Sequence, residues 1–560
     1  MQKQCKKCGV DFTLSTSYLK FLEDAGPTFS GKKYPIAQPS LCSDCREQRR
    51  LAWRNERFMY KRKCDSTGKD TISMYPPESP FTIYDPSIWW GDSWDPMDYG
   101  RDFDFSRPFF EQFRELQLEV PRMALVNKNC ENSDYTNHAA DTKNCFMSAT
   151  TFGCEDIYYG DWIVESSKDL VDCSYMMKGC EVCYETYYAH ASHRAYYCEF
   201  VKRCSDVWFC FDCINCNNCF LSCNLRNKEY CFENEQLTKD DYQKKISELS
   251  FSYSEIETNR ERYKSIKRNK AIHPDNYHVN ATDSTGDLLF GTENCFNCYD
   301  AINCKDCEDC YSIIDVTDSI NIYHVGWAEL MYECHAIANG YNCIVCHFTY
   351  DNKNALYCDS TQNCSDVLGC CGLRQKKYCI FNKQYTKEDY ENLAGRIIEH
   401  MSSSGEWGEF FPLNDSPFAY NQTRAPEFYP LTKEKVLKQG MRWSDYEPPD
   451  PNVEKVIPAA KLPEKIPDIP DDILNWAIAC EVTNVPFQIV PKELEFYRTN
   501  NLPVPRRHPN QRYDDRIAMR NLWNLHSRKC SKCQKDIQTT FTPEQPETVY
   551  CKECYLKEVY

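Results

Sequence analysis

Small and apolar side chains recur with a fixed beat through the middle of the chain. Cys298, Cys310, Ile322, Cys334, Cys346, Cys358 and Cys370 lie twelve residues apart. Three places earlier stand Cys295, Cys307, Ser319, Met331, Cys343, Ala355 and Val367, and three places later Ala301, Ile313, Val325, Ile337, Thr349 and Thr361. Six places later come Cys304, Val316, Ala328, Gly340, Asn352 and Cys364. A looser copy runs through Ser133, Cys145, Ile157, about Val171, Cys183, Cys198, Cys210 and Ser222, broken twice by small insertions. A compact residue at every third place predicts a coil with four inward positions around a very narrow core. The flanking residues are often aromatic, as at Tyr299, Tyr311, Tyr323, Tyr332 and Phe348, and aromatic and β-branched residues suit stacked strands. A helix is the competing reading, but a period of twelve fits no common helical repeat. Each coil is expected to rise by the strand spacing, so eight coils make a rod of about 38 Å.

A stack of strands needs closed ends, because a bare last coil offers its edge to other chains. Both repeats finish on one motif. It reads Leu225-Arg226-Asn227-Lys228-Glu229-Tyr230-Cys231 with Asn234, Gln236, Thr238 and Tyr242. It returns 148 residues later as Leu373-Arg374-Gln375-Lys376-Lys377-Tyr378-Cys379 with Asn382, Gln384, Thr386 and Tyr390. Thr238 and Thr386 are placed as helix N-caps, with Asp241 and Asp389 three residues on. A charged helix is expected from about Tyr253 to Lys270, and Pro448 to Pro470 reads as an extended connector.

The two ends mirror each other. Cys5-Lys-Lys-Cys8 with Cys42-Ser-Asp-Cys45, and Cys530-Ser-Lys-Cys533 with Cys551-Lys-Glu-Cys554, are two pairs of CxxC knuckles, the latter 17 residues apart. A CxxC turn offers two thiolates from one tight loop, and two such turns close a tetrahedral site with no open position. We therefore expect two structural zinc ions, on Cys5, Cys8, Cys42 and Cys45 and on Cys530, Cys533, Cys551 and Cys554. A redox dithiol and free thiols are the rival readings. Aligning Arg54-Asn55 with Arg520-Asn521 sets Cys42 and Cys45 against His508 and Gln511, and Cys5 and Cys8 against Cys480 and Thr483. It likewise sets Cys530, Cys533, Cys551 and Cys554 against Cys64, Thr67, Asp85 and Ile88. Each end is thus a tandem of ribbons, one with its ligands and one that has lost them.

These patterns define a mainly β chain: two narrow 12-residue-repeat β-solenoids with helical caps, flanked by tandem zinc ribbons at both termini. In chain order the expected segments are an intact ribbon over 1–63, a degenerate ribbon and connector over 64–126, solenoid and cap over 127–249, and a helical linker over 250–287. The second solenoid and cap follow over 288–402, a Pro-rich connector over 403–475, a degenerate ribbon over 476–525 and an intact ribbon over 526–560.

Two resemblances attach to these residues. Twelve-residue coils with small inward residues are similar to the insect antifreeze solenoids, in coil geometry only. The flat Thr-x-Thr face of those proteins is missing, so ice binding is not implied. Their rungs of cysteines six apart have counterparts in Cys204 and Cys210, Cys304 and Cys310, and Cys364 and Cys370. The paired ribbons, the Leu-Arg-x-Lys-x-Tyr-Cys cap and the ending Cys551-Lys-Glu-Cys554-Tyr-Leu-Lys-Glu-Val-Tyr resemble cysteine-rich zinc-ribbon proteins of candidate-phyla bacteria. That resemblance implies zinc and a bacterial cytoplasm and says nothing of a substrate.

Composition narrows the function. The chain has 560 residues, 37 of them cysteine, and a net charge of −17. An acidic protein is repelled by phosphate backbones. Three stretches run the other way, Arg46 to Lys63, Arg260 to Lys270 and Arg506 to Lys532. They read as solvated helix faces, with nucleic-acid contact as the alternative. No apolar core of a signal peptide follows Met1, and no run of 18 apolar residues occurs. A cytoplasmic location, with thiols rather than disulfides, is expected. No phosphate loop, HExxH or nucleophile elbow is present, so enzyme activity is not expected. His335 and His347 are placed on adjacent coils beside Asp359 as ladder residues. The leading expectation is a non-enzymatic scaffold with a protein partner. The alternatives are a metal or redox protein using the cysteine columns, among them Cys210, Cys213, Cys216 and Cys219 and Cys304, Cys307 and Cys310, or a ribosome- or nucleic-acid-associated ribbon protein. The oligomeric state is open.

Overall fold

The structure is a computed structural model of the whole chain. It describes the backbone except at 330, 331, 334, 342, 343, 345 and 346, and side chains except at 324–331, 334–343 and 345–350. The chain divides into two units, and their make-up crosses the linear order. Unit 1 joins Met1–Leu125 to Asn276–Asp445, and unit 2 joins Val126–Asp275 to Tyr446–Tyr560. The N-terminal ribbons therefore share a unit with the second repeat, and the C-terminal ribbons with the first. Strands predominate in both.

In unit 1 a 14-stranded sheet is built almost wholly from parallel pairs in steps of twelve. Tyr299 pairs with Tyr311, Tyr311 with Tyr323, Tyr323 with His335, His335 with His347 and His347 with Asp359. Cys298, Cys310, Ile322, Cys358 and Cys370 are all buried along one inward column. The remaining members Cys334 and Cys346, and Met331 and Cys343 of the neighbouring column, lie outside the described residues, as do the side chains of His335 and His347. The rings of Tyr299 and Tyr311 stack outside the column at 5.7 Å.

Unit 2 carries a 16-stranded sheet whose step changes along its length. Ala149 pairs with Asp161 across twelve residues, Asp161 with Ser174 and Ser174 with Tyr187 across thirteen, and Tyr187 with Glu199 across twelve again. The corners explain the change. Nearly every third residue of the repeat turns through the left-handed region, as at Asp156, Tyr159 and Trp162. Two corners hold two such residues in a row, Glu165–Ser166 and Lys178–Gly179, and these are the two insertions. They correct the expected column. The register runs Ile157, Leu170, Cys183 and then Ala195, Val207, Cys219 and Cys231. Val171 instead packs outward with Tyr158 and Tyr184, and Cys198 and Cys210 belong to the next inward column. Because columns three residues apart are equally small and buried, a slip of three leaves the sequence pattern intact.

The left-handed corners explain the Asn and Asp content, since these residues bear positive φ better than other side chains with a Cβ. They also bond up the stack. The Asn294 amide donates to Asp306 at 2.9 Å, Asn303 to Asp315 at 2.9 Å and Asn354 to Asp366 at 2.9 Å, each twelve residues on. Inside, the described cysteines are free thiols that donate to main-chain carbonyls, as Cys304 does to Ile302 at 3.2 Å.

Both caps follow one plan. Strands Glu229–Phe232 and Lys377–Ile380 add the last parallel step, and each then reverses into a short antiparallel strand, Glu235–Gln236 or Lys383–Gln384. The next step is supplied by a side chain. The Asn234 amide accepts from the Cys223 N–H at 2.7 Å and donates to the Cys223 carbonyl at 3.0 Å. Asn382 does the same at Cys371, at 2.9 and 2.8 Å. A carboxamide has the donor and acceptor of a peptide group, so it terminates the ladder as another strand would. Thr238 and Thr386 then cap helices Lys239–Ser247 and Lys387–Ser404. Replacing Asn234 by alanine leaves a backbone N–H and C=O without this partner, and is expected to cost about 1–3 kcal/mol. Hydrogen exchange at residues 217–236 checks this; unchanged protection there contradicts it.

Two connecting segments differ from expectation. Helix Tyr253–Asn269 buries Ile256 and Tyr263 in unit 2 and pairs Arg260 with Glu185 at 2.6 Å, so it belongs to the body of the unit. The Pro-rich stretch is packed rather than extended beyond its first residues. Lys455–Pro458 pairs in parallel with Trp476–Ala479, and Leu462, Ile466 and Ile469 join the core. Prolines stop regular elements there, but the aliphatic residues between them still seek burial. Among the described residues no helix is long and apolar enough to cross a membrane.

Candidate metal centres

The first centre begins with strands Gln2–Gln4 and Asp11–Thr13, an antiparallel hairpin whose loop carries Cys5 and Cys8. The Cys5 N–H donates to the Val10 carbonyl at 2.9 Å and Gly9 returns to Cys5 at 2.9 Å. That tight turn requires the positive φ of Gly9. The other knuckle opens helix Ser43–Leu51, with Cys42 at its N-cap. All four sulfurs lie within 4.8 Å of one another, and Cys8 and Cys42 are 3.7 Å apart. The second centre repeats this on hairpin His526–Lys529 and Asp536–Thr539 and helix Lys552–Val559, with Cys551 at the N-cap. Its four sulfurs also fall within 4.8 Å, with Cys533 and Cys551 3.7 Å apart. A tetrahedral ion at a metal–sulfur length of about 2.3 Å needs edges of about 3.8 Å, so both groups can hold one.

Main-chain N–H groups prepare these sulfurs for a cation. Burial pushes the Cys530 thiol up, but the N–H groups of Cys533, Cys551 and Lys532 outweigh it and bring it down to about 6. At the first centre the Cys45 thiol, against the effect of burial, holds Cys42 down to about 5, and Cys45 itself is pushed up by that neighbour. Lowered thiols at a knuckle are ready to lose their protons to a metal.

The two segments expected to be degenerate ribbons repeat the hairpin turn and helix N-cap but carry one cysteine each in place of four. Cys64 sits in hairpin Tyr60–Lys63 and Asp70–Ser73, its N–H bonded to Lys69 at 2.8 Å. Asp85 takes the N-cap place, and its N–H donates to the Cys64 sulfur at 3.3 Å, as Cys551 does to Cys530 at 3.2 Å. Cys480 repeats the turn with Val485 at 3.1 Å, and His508 caps helix Pro509–Ile517. His508 accepts the Asn510 N–H at 3.1 Å. Among the described residues only the two four-cysteine groups gather ligands for a metal.

Sequence reading missed what the ribbon helices carry. The basic runs divide: Arg46, Arg49, Arg50, Arg54, Arg512 and Arg516 are buried, while Arg262, Lys264, Arg268 and Lys270 of the middle run, and Lys61, Lys63, Lys529 and Lys532, stay exposed as solvated faces. In unit 2 Arg512 pairs with buried Asp172 and with Glu493 at 3.3 Å, and Arg516 bonds Asp172 at 2.9 Å. Burial raises the Asp172 and Glu493 carboxyls while Arg512 pulls both down. In unit 1 Arg46 bonds Asp309 at 3.0 Å and donates to Tyr18, and Arg49 bonds Glu333 and Glu409, both at 2.9 Å. Counted down from the shared cap, Asp172 corresponds to Asn321, whose amide donates to Tyr18 at 2.6 Å. The ribbon offset that matches Cys5 to Cys480 also matches Tyr18 to Glu493. A buried acid pair in one unit is thus a neutral pair in the other. The second ribbons correspond too. Tyr555 donates to Asp212 beside the cap residue Arg226, whose Nη2 bonds Asp212 at 3.0 Å. Trp89, at the equivalent place in unit 1, lies under the cap residue Arg374 at 5.5 Å. No local pattern could reveal the pairs of Arg46 with Asp309 or of Arg512 and Arg516 with Asp172, because acid and arginine stand 263 or more residues apart.

Compared with known proteins, the chain matches no family model and no curated sequence. Fold and site define a strand-rich, cysteine-rich protein with two four-cysteine centres suited to metal.

Proposed function

We propose that this protein is a zinc-binding, non-enzymatic scaffold of two 12-residue-repeat β-solenoids, each braced by a tandem of ribbons, that works by presenting its repeat surfaces to a protein partner. The reading rests on one observation: the four sulfurs of each centre lie within 4.8 Å of one another at the root of a helix whose side chains bond the strand stack of the same unit. Cys42 and Cys45 open the helix bearing Arg46 and Arg49, and Cys551 and Cys554 the helix bearing Tyr555. A closed four-cysteine site stabilises a small fold and leaves no position for water or substrate. Zinc is the metal of choice for such a site in a reducing compartment, and the cytoplasm is that compartment. The burial of Arg46, Arg49, Arg512 and Arg516 withdraws part of the charge on which nucleic-acid binding would depend, and together with the net charge of −17 this favours a protein partner. Metal analysis of the purified chain tests the zinc reading. We expect two zinc ions per chain, unchanged in Cys64→Ala and Cys480→Ala. One ion, four ions or another metal contradicts it. Crosslinking in the native host tests the scaffold reading, which fails if the chain is recovered alone.

A further inference from the structure

The geometry points to a second kind of metal site, a run of neighbouring thiols in the core of the unit 2 solenoid that takes monovalent thiophilic cations of the copper(I) class. All four inward positions of one coil are cysteine, namely Cys210, Cys213, Cys216 and Cys219. They follow one another at every third place along the coil and pack in one buried cluster. The run continues between coils: Cys219 faces Cys231 in the strand register, Cys216 stands one step from Cys204, and the Cys198 sulfur accepts the Cys210 N–H at 3.4 Å. Every member is buried.

Packing alone does not call for sulfur here. The column that holds Cys219 and Cys231 also holds Ile157, Leu170, Ala195 and Val207, all buried. Aliphatic side chains of several sizes fit the same column, yet this coil uses none.

The arrangement selects the ion. These thiols do not draw together as the ribbon cysteines do: among the described residues, only the terminal groups have all their sulfurs within 4.8 Å. A tetrahedral ion is therefore poorly served. A two-coordinate ion needs only a pair. At the thiolate bond length of about 2.3 Å a linear ion separates its two sulfurs by about 4.6 Å, and strand spacing sets neighbours in one column about 4.8 Å apart. Soft thiolates favour copper(I). Each monovalent ion displaces one proton to solvent, so one sulfur binds as thiolate and its neighbour as thiol. Charge is conserved, and the apolar core stays neutral. The site is independent of the zinc reading, since it shares no ligand with the ribbons.

The test uses full-length, zinc-loaded, reduced protein without oxygen, titrated with copper(I) held by a competing chromophoric chelator. Copper and zinc are counted after desalting, and copper–thiolate luminescence reports a water-excluded site. We expect both zinc ions to remain and about two or three copper ions to be retained in this run, one per pair of neighbouring sulfurs. Cys213→Ala with Cys216→Ala should abolish that share and its emission. Cys145→Ala with Cys154→Ala removes as many core thiols from the same solenoid outside the run, and should leave the copper in place. The smaller group of Cys295, Cys298, Cys307 and Cys310 in the core of unit 1 makes the difference between variants the decisive quantity. Copper gained only as zinc is lost, copper unaffected by the Cys213 and Cys216 changes, or equal loss in both double variants overturns the proposal. A zinc count other than two with copper still in the run sinks the zinc reading alone.

Discussion

Cys551→Ser is expected to remove one of the two metal ions and to unfold residues 526–560 while both strand stacks persist. The hydrophobic cluster around this centre is little more than Cys530, Ile537, Val549 and Cys551. So small a core cannot offset the conformational entropy of its own chain. In isolated zinc-finger peptides the ion supplies roughly 10–16 kcal/mol, more than most whole domains possess. Loss of a ligand therefore removes the dominant stabilising term. The damage should spread to what the segment touches, the strand Ile272–Pro274 paired with Thr548–Tyr550 and the Tyr555 hydroxyl on Asp212, and spare the thiol-lined core of unit 2, which is a separate cluster. Metal counting and hydrogen exchange together check this. A retained second ion, or protection of 526–560 equal to that of the parent, is the contrary result.

Arg512→Ala should be the most damaging single change among the arginines. It strips two buried carboxyls, Asp172 and Glu493, of their main countercharge, leaving Arg516 on Asp172 alone. Removing one partner of a buried ion pair costs about 3–5 kcal/mol. The matching change in unit 1, Arg46→Ala, should cost less. Asn321 and Tyr18 stand where unit 2 has Asp172 and Glu493, so Asp309 is the one acid left directly behind. Glu493→Gln in the Arg512→Ala background should recover part of the loss. Denaturation measures all three, with exchange at Asp161–Val164 and Ser174–Met177 reporting the unit 2 changes and exchange at Tyr311–Ile314 reporting Arg46→Ala. Equal losses for the two arginines would show that the acid pair does not govern docking.

The comparison of sequence with structure divides along sequence distance. The eight ribbon cysteines were legible because a CxxC turn is complete within four residues. The caps were legible because Thr238 and Thr386 act on amides three residues away. The second repeat showed its register because, after one step of eleven at its start, every later step is twelve. In the first repeat two extra corner residues and interchangeable columns hid the step at Leu170 and at Ala195. The crossed pairing of ribbons with repeats had no local signal at all. Arg46, Arg512 and Arg516 looked like surface charge because sequence reports the sign of a residue but not the acid waiting elsewhere. The aliphatic residues between the prolines of 448–470 were likewise hidden by the company they keep.

The asparagine that closes each ladder has a consequence for how such proteins can change length. The two bonds that close the ladder reach back to Cys223, or to Cys371, in the turn just beneath, and Asn382 adds one sideways to the Pro96 carbonyl at 2.9 Å. The lid therefore does not sense how many turns lie below it. Gain or loss of one complete turn leaves the seal as it was, whereas a partial turn brings the wrong wall beneath it. Growth should proceed in quanta, like a spiral stair to which only full flights can be added.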